Sequence, residues 1–175
     1  MANFERVVLC DTKRQYLHLE AEINAAVQRV LHNGRYIMGP EHDAFESEFA
    51  DYCGRKYTVA CGNGTDALEL ALRACGIATG DEVITVANAG GYTTTACQLL
   101  GAVPVFVDVN PRLSMEPAAV SQAISDKTRA IVVTHLYGWP ADMPEIVRVA
   151  KERGLTVIED CAQAHGASLD GRRVG

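Results

Sequence analysis

The chain has 175 residues, 48% hydrophobic and 22% charged, with a formal net charge of −6. That length supports one well-cored domain, and the proportions exclude disorder, collagen and coiled coil. An acidic chain lacks the basic face that nucleic acid or an anionic membrane requires, so neither is an expected partner.

Cysteines fall at Cys10, Cys53, Cys61, Cys75, Cys97 and Cys161 without a C-x-x-C pair, and the histidines are scattered. This predicts buried free thiols and no metal site. The opening stretch MANFERVVLCDTKRQ has no apolar signal core, and no apolar run reaches membrane-span length. The expected compartment is the reducing cytoplasm.

In chain order, Leu19, Ile23, Ala26, Val27, Val30 and Leu31 fall on one helical face, and Gly34 stands where a C-terminal cap belongs. A loop through Gly39-Pro40 leads to a second helix over 41–52, with Phe45, Phe49 and Tyr52 expected to face inward. Residues 57–61 read as a strand, 62–64 as a turn and 65–75 as a helix. Strands over 82–87, 103–107, 130–133 and 155–159 then alternate with helices over 94–100, 117–124 and 143–153. Pro117 suits a helix start and Gly154 a helix end. The alternation predicts an α/β fold, a mostly parallel sheet with helices on both faces. Residues 1–56 form an expected N-terminal helical segment with a substrate-side loop, and residues 57–175 an expected sheet domain.

In such sheets ligands bind beyond the carboxyl ends of the strands. Gly62-Asn63-Gly64-Thr65-Asp66 follows the first expected strand and opens a helix. Glycines let an anion approach the backbone, and the first helical amides point at it, so a phosphate cradle is one reading. An ordinary strand–helix turn with Thr65 as N-cap is the other. The spelling Gly62-x-Gly64-x-x-Ala67 also matches a dinucleotide fingerprint. That motif needs an acid at the end of the next strand, and Glu82 lies at its start. A nucleotide-dependent oxidoreductase is therefore the most distant alternative. Beyond the last strand stands Asp160, placed to meet a cation such as a protonated pyridine nitrogen, with Gln163 three residues on. A turn-capping Asp160 and a solvated Gln163 are the plain alternative.

The stretches GNGTDALELAL, GAVPVFVDVN, HLYGWPADM and VIEDCAQAHGA, followed by GRRVG, resemble the DegT/DnrJ/EryC1/StrS family of sugar aminotransferases. GRYIMGPEHDAFESEFA and the entry segment Leu9-Cys10-Asp11-Thr12-Lys13 do so too. The resemblance implies the large domain of a type I pyridoxal-phosphate enzyme, truncated and without its C-terminal domain. It implies pyridoxal 5'-phosphate as cofactor, a homodimer, a nucleotide-linked keto sugar as acceptor, and glutamate or glutamine as amino donor. By the same resemblance Gly64, Thr65 and Asp66 form the phosphate-binding turn, Asp160 pairs with the pyridinium, and Gln163 contacts the ring hydroxyl. His135 and His165 would be structural or cleft-wall residues. The slot for an aromatic residue stacked on the cofactor falls at Gly90, and Tyr92 is the available substitute.

The resemblance also places the lysine that tethers the cofactor beyond Gly175, since Lys13, Lys56, Lys127 and Lys151 are out of context. A pyridoxamine-dependent sugar dehydratase of the same fold and a non-catalytic module are the alternatives it leaves open. The 175-residue chain alone is expected to be inactive.

Overall fold

The computed structural model describes residues 8–175. The first residues of the expected N-terminal segment, and half of the stretch tested for a signal peptide, lie outside the described residues. Two compact units emerge, Met1–Glu48 and Phe49–Gly175.

The first unit holds α1 (Thr12–Asn33) and the start of α2 (Pro40–Cys53). Asp11 caps α1 by accepting from the Arg14 amide, and Gly34 ends it at φ 72° with its N–H on the Val30 carbonyl. Arg29 and Glu41 form a two-armed ion pair at 2.7 and 2.9 Å. The apolar stripe of α1 is present, yet no residue of this helix is buried. In α2 two of the three aromatics expected to face inward, Phe45 and Tyr52, are exposed, while Phe49 is half-buried and Ala50 is the buried residue.

The second unit is a four-stranded parallel sheet of β1 (Glu82–Val86), β2 (Val103–Val107), β3 (Thr128–Thr134) and β4 (Thr156–Asp160), in the order β2-β1-β3-β4. Its helices are α3 (Gly64–Ala74), α4 (Tyr92–Leu100), α5 (Pro117–Ala123) and α6 (Met143–Arg153). Strand side chains alternate between faces. Val83, Ala130, Val132 and Ile158 therefore pack beneath Leu68 and Leu72 of α3 and Ala96 and Cys97 of α4. Ile84, Val86, Ile131 and Val133 pack on the other face beneath Val120 of α5 and Ile146 and Val149 of α6. The central strands are buried on both sides, as their unbroken apolar runs require.

One strand expectation fails here. Residues 57–61 form no strand, and Tyr57 and Val59 stand 74% and 79% exposed. Apolar composition favours an extended backbone, but a strand also needs a neighbour for its N–H and C=O groups. The chain after β4 folds into a hairpin of β5 (Ser168–Leu169) and β6 (Arg172–Arg173), a segment for which the sequence analysis names no element. Asp170 and Gly171 turn it with φ of 50° and 76°, the double positive φ of the tight hairpin turn that Asp-Gly favours. None of the described helices is long and apolar enough to cross a membrane.

Candidate active site

Because β1 to β4 are parallel, their carboxyl ends share one edge. Thr79 donates its hydroxyl to the Leu100 carbonyl at 3.2 Å, and the Gly80 amide donates to Gly101 at 2.9 Å. These bonds join the ends of α3 and α4 just before β1 and β2 begin, at the amino edge. An eleven-residue helix rises about 16 Å and a five-residue strand about 17 Å, so α3 and α4 start at the carboxyl edge. Ile158 lies on the α3–α4 face, and Asp160, two residues on, projects from that same face. The fold thus brings Gly64, Thr65, Asp66, Tyr92 and Asp160 to one edge and one face of the sheet.

The start of α3 is capped by Asn63, not by Thr65. The Asn63 side-chain oxygen accepts from the Thr65 and Asp66 amides at 2.9 and 3.0 Å, and its NH2 donates to Asp66 Oδ2 at 2.9 Å. Asparagine is among the strongest N-caps, and its extended backbone at φ −166° suits the position. Gly64 is a different matter. A Cβ there would meet nothing within 4 Å, and its φ is not in the left-handed region. Neither packing nor backbone conformation demands glycine, and the open space before the helical amides is a cradle that a side chain would fill.

Asp160 is half-buried. Its Oδ1 accepts from the Ala162 amide at 3.1 Å, so the expected turn cap exists, while Oδ2 has only a long 3.5 Å contact from the Thr134 hydroxyl. One carboxylate oxygen is committed to the turn and the other is available at the edge. Gln163 is exposed, and its Oε1 accepts from the Tyr137 amide at 2.8 Å. Tyr137 follows β3, so Gln163 is held at the same edge. Tyr92 opens α4 with its ring exposed, and a Cβ on Gly90 would lie 3.1 Å from that ring. The glycine in the aromatic slot is therefore where Tyr92 lays its own ring.

Sequence reasoning missed what holds the Asp160 turn. His135 is fully buried after β3, and its Nδ1 accepts from the Ala141 amide at 3.0 Å. An N–H can only donate, so the ring proton sits on Nε2, which donates to Glu159 Oε2 at 3.1 Å. That hydrogen bond above all holds the Glu159 carboxyl below its ordinary 4.5, with the Gly175 amide contributing. Cys161 completes a triad with His135 and Glu159. With Nδ1 engaged as acceptor, the protonated Nε2 offers no lone pair to a metal. Burial, with Glu159 and Asp160 nearby, pushes the Cys161 thiol up to about 12. His165 is exposed and meets the Phe49 ring edge-on at 5.5 Å. The signal for the clamp was faint: a histidine closing one strand and an acid closing its neighbour, 24 residues apart.

Cysteine usage also departs from expectation. The six thiols are free, but Cys10, Cys61 and Cys75 are exposed and only Cys97 is buried.

The chain has counterparts among known proteins. Residues 17–175 match the DegT/DnrJ/EryC1/StrS aminotransferase family. A dTDP-3-amino-3,4,6-trideoxy-alpha-D-glucose transaminase of Streptomyces venezuelae is 45% identical over 99% of this chain and 46% of its own length. The crystal structure of DesV from S. venezuelae superposes with a TM-score of 0.95 at 45% identity, covering 98% of this chain and 47% of that one. An E. coli GDP-4-keto-6-deoxy-D-mannose-3-dehydratase, solved with hydrated PLP bound, gives 0.81 at 28% identity, over 87% of this chain and 41% of that one. The chain spans about half the length of the relatives it matches. With its parallel sheet, its glycine-opened helix and its edge carboxylate, the chain belongs to the DegT/DnrJ/EryC1/StrS aminotransferase family.

Proposed function

We propose that the protein carrying this chain transfers an amino group from glutamate or glutamine to a nucleotide-linked keto sugar, using pyridoxal 5'-phosphate. The observation that carries this reading is the meeting of the α3 N-terminus and Asp160 on one face and one edge of the sheet. An anion-binding helix start and a carboxylate for a ring cation are the two poles such a cofactor needs. The transaminase and dehydratase relatives, with dTDP- and GDP-linked sugars in their names, support the substrate class. A homodimer in the cytoplasm completes the reading, on the strength of the family resemblance.

The residues present fit the cofactor. The open cradle at Gly64, the Thr65 hydroxyl and the first amides of α3 would hold the phosphate, with Asp66 and Asn63 shaping the turn beneath it. Asp160 Oδ2 would keep the proton on the ring nitrogen, since a charge-assisted contact is roughly twice as strong as a neutral one. The free NH2 of Gln163 would donate to the phenolic oxygen, and Tyr92 would cover the ring from the start of α4. When bound, the cofactor supplies an electron sink for the bond broken at the amino-bearing carbon.

Two of the four lysines lie away from the edge and face that carry Asp160. Lys127 precedes β3 at the amino edge, and Lys151 lies on α6, against the opposite face of the sheet from Asp160. Lys56 sits 4.9 Å from the Tyr57 ring.

The test is to supply the whole protein with pyridoxal phosphate, a nucleotide-linked keto sugar and either amino donor, and to follow the products by mass spectrometry. Net nitrogen on the sugar supports the reading. Loss of a sugar hydroxyl without nitrogen transfer would move the protein to the dehydratase alternative, which the E. coli relative favours.

A further inference from the structure

Tyr137 is the most strained residue near the site. Its φ of 57° and ψ of 23° place a tyrosine in the left-handed region, where Cβ crowds the following carbonyl oxygen. Ring burial does not offset that strain, because Tyr137 is 75% exposed. What the conformation achieves lies on the backbone: the Tyr137 N–H is delivered to Gln163 Oε1 at 2.8 Å. The surrounding loop over-determines this placement. The His135 amide donates to the Asp160 carbonyl at 3.0 Å, the Trp139 amide to Leu136 at 2.9 Å, and the Ala141 amide to the His135 ring at 3.0 Å. Gly138, at φ 79°, continues the left-handed turn with its Cβ position 3.5 Å from the Gln163 carbonyl.

A carboxamide has two faces, one accepting and one donating, and rotation by half a turn exchanges them. A backbone N–H can only donate, so the atom facing Tyr137 must be the oxygen. The NH2 group is then the arm left to face the carboxyl edge.

We infer that the Tyr137 backbone is a positioning device: its left-handed amide fixes the Gln163 carboxamide in the one orientation that offers a donor, and not an acceptor, to the ligand's ring oxygen. This rests on the functional reading above and assigns Tyr137 a role through its amide, independent of its ring. A donor to an anionic oxygen stabilises the deprotonated form and lowers the pH at which the bound chromophore titrates. An acceptor in the same place does the reverse. Backbone strain kept by several hydrogen bonds and aimed at one side chain is the pattern expected where strain serves a site.

The test uses the whole protein loaded with pyridoxal phosphate, reading the pH midpoint of the cofactor's visible absorption and its dissociation constant. Tyr137→Gly keeps the amide and adopts the left-handed backbone without a Cβ penalty, so the midpoint should stay within about 0.3 unit of wild type. Tyr137→Val disfavours that backbone and should raise the midpoint by about one unit, a tenfold change in proton affinity. Gln163→Glu keeps the contact to the Tyr137 amide but loses the donor, and should raise the midpoint by as much while leaving thermal unfolding near wild type. A purely structural Tyr137 would alter stability without moving the midpoint. Equal midpoints in wild type, Tyr137→Val and Gln163→Glu would overturn the inference alone. A wild type that binds no pyridoxal phosphate would overturn the functional reading and this inference with it.

Discussion

Replacing His135 with Ala tests the clamp that sets the Asp160 turn. The imidazole is fully buried and ties the loop after β3 to β4 through Ala141 at 3.0 Å and Glu159 at 3.1 Å. Truncation strands the buried Ala141 amide, which costs about 1–3 kcal/mol, and opens a cavity that adds about 1–2 kcal/mol. Glu159 keeps the Gly175 amide at 3.0 Å, so its share of the loss is small. The expected cost is about 3–4 kcal/mol, a large fraction of the roughly 5–15 kcal/mol typical of a domain. Urea unfolding followed by far-ultraviolet circular dichroism measures it, provided the slope with denaturant is unchanged. His135→Gln carries both a donor and an acceptor and should recover about half of the loss. A cost below about 0.5 kcal/mol for His135→Ala would refute the reasoning, because surface substitutions already span that range.

Glu159 carries the pH dependence of the same clamp. Its carboxyl is held below 4.5, chiefly by His135, so its stabilisation is present above the unfolded value and is lost as pH falls through the folded one. Glu159→Gln should be less stable than wild type at neutral pH, and the gap should close below about pH 4 in acid-unfolding curves. Gly64→Val should weaken pyridoxal phosphate binding at least about tenfold, or 1.4 kcal/mol, with little change in melting temperature, since no protein atom lies within 4 Å of the new Cβ. A brief maleimide pulse at neutral pH followed by peptide mapping should label Cys10, Cys61 and Cys75 first. Cys97 and Cys161, raised by burial to about 11 and 12, should lag far behind.

Much of this architecture was legible in the sequence because the strands are short apolar runs and the helices end at glycines. Gly34, Gly101 and Gly154 all close helices at positive φ, and Pro117 opens α5. Segment 57–61 misled for a physical reason: propensity is local, whereas strand formation depends on a neighbour elsewhere in the fold. The aromatics of α2 misled likewise, since periodicity identifies a helical face without saying what covers it. At the site, Asp160 and the α3 start were readable because ligands gather at strand ends. The Asn63 cap was within reach too, being a strong N-cap type one residue ahead of the helix. The Tyr137–Gln163 contact was not, because a tyrosine carries no sequence signal for a left-handed backbone.

Turnover of Asp160→Asn in the whole protein tests the central claim most directly. The exchange removes the charge while keeping size and the Oδ1 contact to the Ala162 amide, which is 3.1 Å in the wild type. A ring nitrogen without a carboxylate partner would not keep its proton near neutral pH, so the electron sink is lost at the chemical step. The account predicts that kcat falls at least about a hundredfold, that KM for the nucleotide sugar changes less than about threefold, and that the melting temperature is preserved. Undiminished kcat, or a loss explained entirely by reduced stability, would contradict it and remove Asp160 from the site.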